Sequence, residues 1–300
     1  MAVLDVCCAV QGAYVPHCAA MLHSVLTSSP GHRVRAHVLN GPALPTGPRQ
    51  HMAAMAEGLG GEIAFHEIAD ERVAGLPDAG YFTSAMWYRI FLPELLPDVS
   101  RVLYVDVDTL ALDDLSPLWD IDLRGRLLGA VTNVFEPFRV HRPAELGLSG
   151  PEAYFNSGVL LLHLDELRRE HATERLRIFA TEHGPELLWP DQDALNVVLG
   201  EGRLALAPRY NAMNAIMNFP EAGEVFAADA LAQARAAPAI RHFEGPGANK
   251  PWHAACRQPQ REAYFLHRRQ TPWPRGRLEG LPRRAVLTRM RQCLTPMRPV

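Results

Sequence analysis

The sequence contains almost no lysine. Of its 30 basic residues, Lys250 is the one lysine and the others are arginines. Alanine, arginine, proline and glycine are abundant, which indicates a genome whose composition has drifted from lysine to arginine. A lysine retained at a single position therefore indicates a confined site that needs a compact ammonium group, which a planar guanidinium cannot replace.

Cysteine is scarce and irregularly spaced. The five cysteines are odd in number and show no C-x-x-C spacing, which excludes the common zinc and thiol-redox motifs. No stretch approaches the roughly 18 apolar residues of a membrane span, and residues 1–10 lack the basic region of a signal peptide. We therefore expect reduced thiols and a cytoplasmic location.

Charge is distributed unevenly along the chain. Residues 257–300 contain eleven arginines and two acidic residues, whereas residues 1–256 contain nineteen basic and 31 acidic residues. An acidic body excludes the basic face of a nucleic-acid-binding protein, so we expect no nucleic acid partner. We divide the chain into a domain over 1–256 and a basic tail over 257–300.

The tail has a helical pattern. From Arg283 to Leu294 the apolar residues fall within an arc of roughly 120° at 100° per residue, and arginines lie outside that arc. Such a helix can lie on an anionic membrane surface, here the inner face of the membrane. It can also pack on the acidic domain as an ordinary terminal helix, because amphipathicity alone does not distinguish the two.

Alternating strand and helix patterns predict an α/β fold. The repeated β-α-β order indicates a mainly parallel central sheet with helices on both faces. Predicted strands cover residues 3–10, 33–39, 62–68, 101–107, 127–132, 157–162 and 239–243. Predicted helices begin at Pro16, cover 47–58 and 81–95, run from a cap at Asp165 to Gly184, and run from a cap at Asp191 to Gly200.

Two aspartates follow the most apolar predicted strand. Asp106 and Asp108 are two residues apart, a spacing that points both carboxylates to one side of an extended chain. Ligands collect beyond the carboxyl ends of strands in parallel sheets. Oxygen ligands there favour Mn²⁺ or Mg²⁺ that also binds a substrate phosphate, although an Asp pair can also simply cap a turn.

A second polar cluster follows the last predicted strand. His242 ends this strand, and a loop with Gly245 and Gly247 separates it from Lys250. Glycines let the backbone approach a phosphate closely, and a lysine ammonium pairs with a diphosphate. A lone histidine is more often a structural hydrogen-bonding residue.

The remaining candidates lie at the ends of predicted elements. Helix-terminus preferences explain Asp191 and Asp193 as acidic residues in a first turn, but not the neutral amide of Gln192 between them. Asn156 precedes a strand, where a turn residue is an ordinary role.

Four blocks in a fixed order carry a family resemblance. They are 101–123 (RVLYVDVDTLALDDLSPLWDIDL), 154–162 (YFNSGVLLL), 190–196 (PDQDALN) and 242–253 (HFEGPGANKPWH). Over most of residues 3–256 the chain resembles the family-8 retaining glycosyltransferases, particularly bacterial lipooligosaccharide α-galactosyltransferases and distantly glycogenin. The resemblance implies a GT-A type fold and Mn-dependent transfer of a hexose from a nucleotide diphosphate sugar, such as UDP-galactose or UDP-glucose, to a glycan, lipid-linked or small-molecule acceptor.

The same resemblance implies roles for individual residues. It places Gln192 beneath the anomeric carbon. By its own chemistry Gln192 is a poor nucleophile and Asp193 a better one, but the resemblance places Gln192 closer. The implied metal ligands are Asp106, Asp108 and His242. The implied donor-binding residues are Lys250 on the diphosphate, with the loop of Gly245 and Gly247, then Arg89 and Asp191 on the sugar, and Asn156 in the site wall.

Several positions depart from the family pattern. Gln11 and Ala13 stand where relatives carry the Asp and Asn that read uracil and ribose, although Tyr14 remains available to stack on the base. Asn133 stands where galactosyltransferase relatives carry Asp. The nucleotide, the sugar and the acceptor therefore stay open.

The chemistry also has alternatives. Retention can follow same-face attack, in which a leaving phosphate oxygen takes the acceptor proton, or a double displacement through a covalent intermediate; we favour the former. Gln11 and Ala13 are also compatible with a nucleotide-sugar-binding relative that has lost turnover. An Asp-nucleophile phosphatase with the pattern D-x-D-x-[TV] is a further reading, but Leu110 occupies its last position.

Overall fold

Strands and helices alternate along the chain, as the sequence predicts. The structure, a computed structural model, describes residues 2–77 and 84–281. The strands of these residues are β1 (Ala2–Val10), β2 (His32–Asn40), β3 (Glu62–Glu67), β4 (Arg101–Val105), β5 (Thr109–Ala111), β6 (Leu128–Thr132), β7 (Phe155–His163), β8 (Arg203–Ala205) and β9 (Ile240–His242).

Helices connect these strands. They range from helices of nine to thirteen residues to short segments of four to six residues. In chain order they are α1 (Val15–Thr27), α2 (Thr46–Gly58), α3 (Asp70–Val73), α4 (Leu92–Leu95), α5 (Ser116–Trp119), α6 (Arg142–Glu145), α7 (Leu164–Arg169), α8 (Ala172–His183), α9 (Pro190–Leu199), α10 (Asn214–Asn218), α11 (Ala222–Val225), α12 (Ala228–Ala236) and α13 (Arg261–Arg269).

Seven strands form the central sheet in the order β3-β2-β1-β4-β7-β6-β8, and β5 pairs with β9 in a separate two-stranded sheet. Within the central sheet, β7 runs antiparallel to both neighbours and the other pairs are parallel. The prediction of a mainly parallel sheet is therefore confirmed. The reversed direction of β7 was not predicted, because an apolar run does not encode the direction in which a strand enters the sheet.

Helices cover both faces of the sheet, as predicted. On one face, Leu22 of α1 and Met52 of α2 belong to a buried cluster with Val6 of β1. On the other face, Leu176 of α8 and Leu195 of α9 belong to a second cluster. Complete burial of such a side chain stabilises the fold by about 1.5–3 kcal/mol, so these two layers fix the sheet whose carboxyl edge carries the site.

Two helix predictions are wrong in detail. The segment predicted as a helix over 81–95 contains a 3-10 helix, Ser84–Phe91, before α4, and residues 78–83 lie outside the description. Pro93 near the start of α4 has no N–H and its ring crowds the preceding turn, so an α-helix cannot continue through it. The helix predicted from Asp165 to Gly184 is two helices, because His171 between them has a left-handed φ of 49°.

Both predicted helix caps are displaced. His163, rather than Asp165, caps α7, because its Nδ1 accepts the Glu166 N–H at 3.4 Å. The helix α9 begins at Pro190, one residue before the predicted cap Asp191. A proline suits this first turn because it has no N–H to satisfy there.

The first part of the basic tail packs on the domain. In α13, Tyr264 and His267 contact His17 and His23 of α1 at 2.6 Å and 3.0 Å. Trp273 packs against the core, while Leu281 is 40% exposed. The amphipathic helix predicted over residues 283–294 lies outside the described residues. Within the described ranges, no helix has the length and apolar character needed to cross a bilayer.

Candidate active site

The pairing of β5 with β9 brings the two aspartates close to His242, although they are far apart in the sequence. In its antiparallel register Thr109 lies opposite His242, and the Phe243 N–H donates to the Asp108 carbonyl at 2.9 Å. Asp106 and Asp108 lie in a turn between β4 and β5 rather than in the extended chain that their spacing suggested. The Thr109 N–H and hydroxyl both donate to the Asp106 carbonyl, at 3.1 and 2.7 Å, and hold this turn.

Three side chains converge at this turn. One ligand atom from each of Asp106, Asp108 and His242 lies within 4.8 Å of the others, and His242 Nε2 is 3.3 Å from Asp108 Oδ1. Two carboxylates and an imidazole suit Mn²⁺ or Mg²⁺ when a substrate supplies further oxygens. The backbone makes room for them at Gly158, where a Cβ would collide with the His242 ring and lie 2.9 Å from Asp106 Oδ2. These residues fit a divalent cation.

Lys250 lies beside the same cluster. Its ammonium pairs with Asp108 and donates to the Phe243 carbonyl at 3.1 Å. Burial opposes ionisation of Asp108, but Lys250 and His242 outweigh it and hold the pKa of that carboxyl well below its usual range. Burial likewise opposes the charge on Lys250, yet Asp108 raises the pKa of the ammonium. Both groups are therefore charged at neutral pH.

The glycine loop sets the approach of Lys250. Gly245 and Gly247 have positive φ values of 84° and 58°, which glycine adopts without steric cost. The Lys250 N–H donates to the Gly247 carbonyl at 2.9 Å. The two glycines thus shape the turn that carries the ammonium to the aspartates.

Arg89 bridges the metal cluster and α9. It is 7% exposed, donates to Asp106 Oδ1 at 2.9 Å, and lies 3.3 Å from Asp191 Oδ2. Its guanidinium also lies over the Tyr104 ring at 4.3 Å. Burial raises the pKa of Asp191 to about 6, against the opposing attraction of Arg89.

Gln192 is held from three sides. Its Oε1 accepts the Ser157 N–H at 3.0 Å and the Asn156 amide at 3.1 Å, and its Nε2 donates to the Tyr154 hydroxyl at 3.1 Å. Asn156, predicted before the strand, is inside β7 and only 7% exposed. Asn156 and Gln192 therefore occupy one wall of the site together.

Asp193 belongs to a buried polar network with Arg142 and Tyr154. The residue is fully buried. Its Oδ2 accepts from Arg142 at 2.6 Å, and its Oδ1 accepts from the Tyr154 hydroxyl at 2.5 Å. Because both oxygens accept hydrogen bonds, this placement gives no support to the alternative of a double displacement with Asp193 as the nucleophile.

The residues predicted to bind the nucleotide and the sugar differ in their exposure and contacts. Tyr14 is 40% exposed and stands edge-on to Trp252, with ring centroids 5.8 Å apart. The buried Gln11 Oε1 has no hydrogen-bond partner among residues 2–77 and 84–281. Asn133 is buried, and its Nδ2 donates to the Val134 carbonyl at 3.4 Å. Within the same ranges, neither Gln11 nor Asn133 bonds to the metal-ligand side chains.

Three contributing residues were not identified from the sequence. Tyr104 donates to Asp106 Oδ1 at 3.0 Å. Its position two residues before Asp106 could have indicated this contact, because residues two apart on a strand point to the same side. Gly158 lies within the block 154–162 that carries the family resemblance, but Asn156 was the site residue identified there. Asn211, whose Oδ1 is 3.0 Å from His242 Nδ1, follows an irregular stretch with no recognisable pattern.

Comparison with known proteins agrees with this geometry. The family described as Glycosyl transferase family 8 matches residues 5–256. General stress protein A of Bacillus subtilis is 31% identical over 266 residues, or 87% of this chain and 91% of that protein. The lipopolysaccharide 1,2-glucosyltransferase of Escherichia coli is 29% identical over 228 residues, or 75% and 65% of the two chains.

A solved structure shows the same architecture. The galactosyltransferase LgtC, crystallised with donor and acceptor sugar analogs, matches with a TM-score of 0.78 and 27% identity over 94% of this chain and 98% of that chain. This match confirms the GT-A type fold. Because the family match and the relatives span most of the residues that build the site, the chain belongs to glycosyl transferase family 8 and is a glycosyltransferase.

Proposed function

We propose that the protein transfers a hexose from UDP-galactose or UDP-glucose to a hydroxyl group of a glycan, lipid-linked or small-molecule acceptor, with a divalent cation and with retention of configuration. The convergence of Asp106, Asp108 and His242 beside Lys250 is the observation that carries this proposal. The glucosyltransferase and galactosyltransferase names of the relatives support a hexose donor. A cytoplasmic location is part of the same proposal.

The main task in glycosyl transfer is to stabilise charge on the departing diphosphate. A cation bound by the two aspartates and His242 supplies a Lewis acid for that charge. Lys250 adds a fixed positive charge, because Asp108 raises the pKa of its largely buried ammonium. An ammonium held by the Phe243 carbonyl has little freedom to move away from a phosphate oxygen.

The contacts of α9 favour same-face attack. Gln192 has a poorly nucleophilic amide, and both Asp193 oxygens accept hydrogen bonds from Arg142 and Tyr154. A double displacement needs a free nucleophile opposite the leaving group, which neither side chain provides. We propose that the acceptor hydroxyl enters on the face of the departing diphosphate and gives its proton to a phosphate oxygen, while Arg89 and Asp191 hold the sugar.

Two other functions were considered from the sequence: an Asp-nucleophile phosphatase and a nucleotide-sugar-binding relative without turnover. The family match leaves the phosphatase reading with no observation in its favour. A nucleotide-sugar-binding relative without turnover remains the alternative, because Gln11 replaces a nucleotide-reading residue of the relatives. Hydrolysis of the donor with Mn²⁺ and without acceptor would exclude that alternative.

A thermal-shift screen tests donor and metal together. UDP-hexoses with Mn²⁺ should raise Tm more than other nucleotide sugars, since a ligand at 100 times its Kd stabilises the fold by about 2.7 kcal/mol. Asp108→Asn is the matched control, because the amide can still accept a hydrogen bond from Lys250 but ligates poorly; its Tm should not respond to Mn²⁺ with donor. Equal stabilisation with and without Mn²⁺, or none by any UDP-sugar, would contradict the proposal.

A further inference from the structure

A chain of buried amides joins His242 to Gln192. Asn211 Oδ1 lies 3.0 Å from His242 Nδ1, and Asn211 Nδ2 lies 2.9 Å from Asn156 Oδ1. Asn156 Nδ2 in turn lies 3.1 Å from Gln192 Oε1. Asn211 is fully buried and the other three residues are at most 9% exposed. Buried polar groups need their partners within the protein, so the orientation of each amide is constrained by its neighbours.

Backbone N–H groups determine the orientation of two of these amides. A backbone N–H can only donate, so oxygen atoms must face Ser157 N from Gln192 and Gly158 N from Asn156, each at 3.0 Å. The group of Asn211 that faces the Asn156 oxygen must then be its NH₂ group. This arrangement turns Asn211 Oδ1 toward His242.

Asn211 Oδ1 decides which nitrogen of His242 carries hydrogen. An amide oxygen can only accept, so Nδ1 must be protonated, and a neutral imidazole then keeps its lone pair on Nε2. Nε2 is the atom that faces Asp108. We propose that Asn211 is a positioning residue that holds His242 in the Nδ1–H tautomer, with Nε2 available to the metal, and that through Asn156 it reinforces the orientation of Gln192 that the Ser157 N–H imposes.

The chain continues in the same direction beyond Gln192. The Gln192 NH₂ group donates to the Tyr154 oxygen, and the Tyr154 O–H donates to Asp193. Asp193 is an acceptor with a buried negative charge paired to Arg142, so it ends the chain with fixed polarity. No amide between His242 and Asp193 can flip without breaking bonds on both sides. The metal ligand and the residue expected beneath the sugar are therefore oriented as one unit.

This inference rests on the proposed function, because it takes His242 as a metal ligand. Two substitutions separate the two bonds of Asn211. Asn211→Ala removes both, and Mn²⁺ affinity measured without donor or acceptor should fall by about 10- to 100-fold, the usual effect of losing a group that orients a ligand. Asn211→Asp keeps an acceptor for His242 Nδ1 but cannot donate to Asn156.

Asn211→Asp should therefore keep its Mn²⁺ affinity within about 3-fold of wild type while kcat falls at least about 10-fold. Asn196→Ala is the matched control: Asn196 is fully buried, bonds to the Phe155 and Gln192 backbone, and makes no hydrogen bond to His242 among the described residues. This control should lower Tm without changing Mn²⁺ affinity. Isothermal titration calorimetry measures the affinities.

The tautomer can be read without any substitution. Long-range ¹H–¹⁵N NMR of wild-type protein labelled at histidine and saturated with diamagnetic Mg²⁺ should show hydrogen on His242 Nδ1. Hydrogen on Nε2 would overturn the inference, as would unchanged Mn²⁺ affinity in folded Asn211→Ala or equal losses in both Asn211 variants. If wild-type protein binds no Mn²⁺, the proposed function fails together with the inference, so the two kinds of failure are distinguishable.

Discussion

Charge in the site is concentrated on a few buried side chains, and each carboxylate has a cation beside it. Asp108 pairs with Lys250, while Arg89 lies between Asp106 and Asp191. Removing one partner of such a buried pair typically costs about 3–5 kcal/mol. The side chain of Lys250 is 12% exposed, so the confinement inferred from its uniqueness in the sequence is present in the structure.

Replacing this lysine tests whether shape matters in addition to charge. Lys250→Arg keeps the charge but places a wider, planar group between Asp108 and the Phe243 carbonyl. We expect kcat/KM to fall at least about 10-fold, or about 1.4 kcal/mol of transition-state stabilisation. Steady-state kinetics with a UDP-hexose measure this, and a Tm close to wild type excludes unfolding. If the Lys250→Arg variant has the same kinetics as the wild-type enzyme, the site does not require a lysine rather than an arginine at this position.

Asp191 makes stability depend on pH. Burial raises its pKa from 3.8 to about 6, so the folded protein holds this proton more tightly than the unfolded chain does. The free energy of unfolding therefore decreases as pH rises from about 4 to about 6, by about 3 kcal/mol in total. Asp191→Asn cannot ionise and should gain about that much stability relative to wild type between pH 4 and pH 7.5.

Urea unfolding without metal at both pH values measures this difference. The comparison between two pH values removes the constant effect of the substitution itself. Parallel pH profiles for wild type and Asp191→Asn would contradict the raised pKa.

Among the elements, local patterns were predictable and long-range pairings were not. The strand predicted over 33–39 is β2, His32–Asn40, because the alternation of apolar and polar side chains is visible within its own residues. The break at His171 was invisible, since apolar residues continue at helical spacing on both sides of it. Asn211 contacts His242 only because the turn that ends at Asn211 packs beside β9, and no local pattern predicts that packing.

Strand β7 supplies a test of the site geometry. In Gly158→Ala the new Cβ would collide with the His242 ring and crowd Asp106, so Mn²⁺ affinity should fall at least about 10-fold through displacement of a ligand. Gly129→Ala is the matched control, because Gly129 is also a buried strand glycine but its Cβ would approach only the Leu123 and Leu206 side chains, at 3.1 Å or more.

Calorimetric titration of both glycine variants with Mn²⁺ distinguishes crowding of the site from general overpacking. Gly129→Ala should change stability and leave metal affinity intact. A Gly158→Ala variant that binds Mn²⁺ as wild type does would contradict the placement of His242 against β7.

Over the whole molecule, charge is divided between an acidic domain, residues 1–256, and a strongly basic tail, residues 257–300. Part of that tail, α13, packs on α1 through Tyr264 and His267, and the amphipathic segment predicted over 283–294 follows. Arginines near an anionic surface contribute about 1 kcal/mol each. We therefore expect the full chain to bind anionic membranes through this segment and to meet a lipid-linked acceptor there.

Vesicle co-sedimentation tests this expectation. At 50 mM salt, a concentration chosen to limit screening, the full chain should sediment with phosphatidylglycerol vesicles. A chain ending at Arg269 retains α13 and should sediment much less. Equal and weak sedimentation of the two would assign the tail a structural role and favour a soluble acceptor.

The stereochemistry of donor hydrolysis tests metal-dependent retaining transfer most directly. UDP-galactose and UDP-glucose are incubated with enzyme and Mn²⁺ in the absence of acceptor, quenched with a chelator at short times, and examined by ¹H NMR before the released sugar mutarotates. We predict release of UDP with the α-anomer of the hexose appearing first, and no release without Mn²⁺ or in Asp108→Asn. Initial appearance of the β-anomer, release that does not require a divalent cation, or no release from either donor would contradict the proposed function.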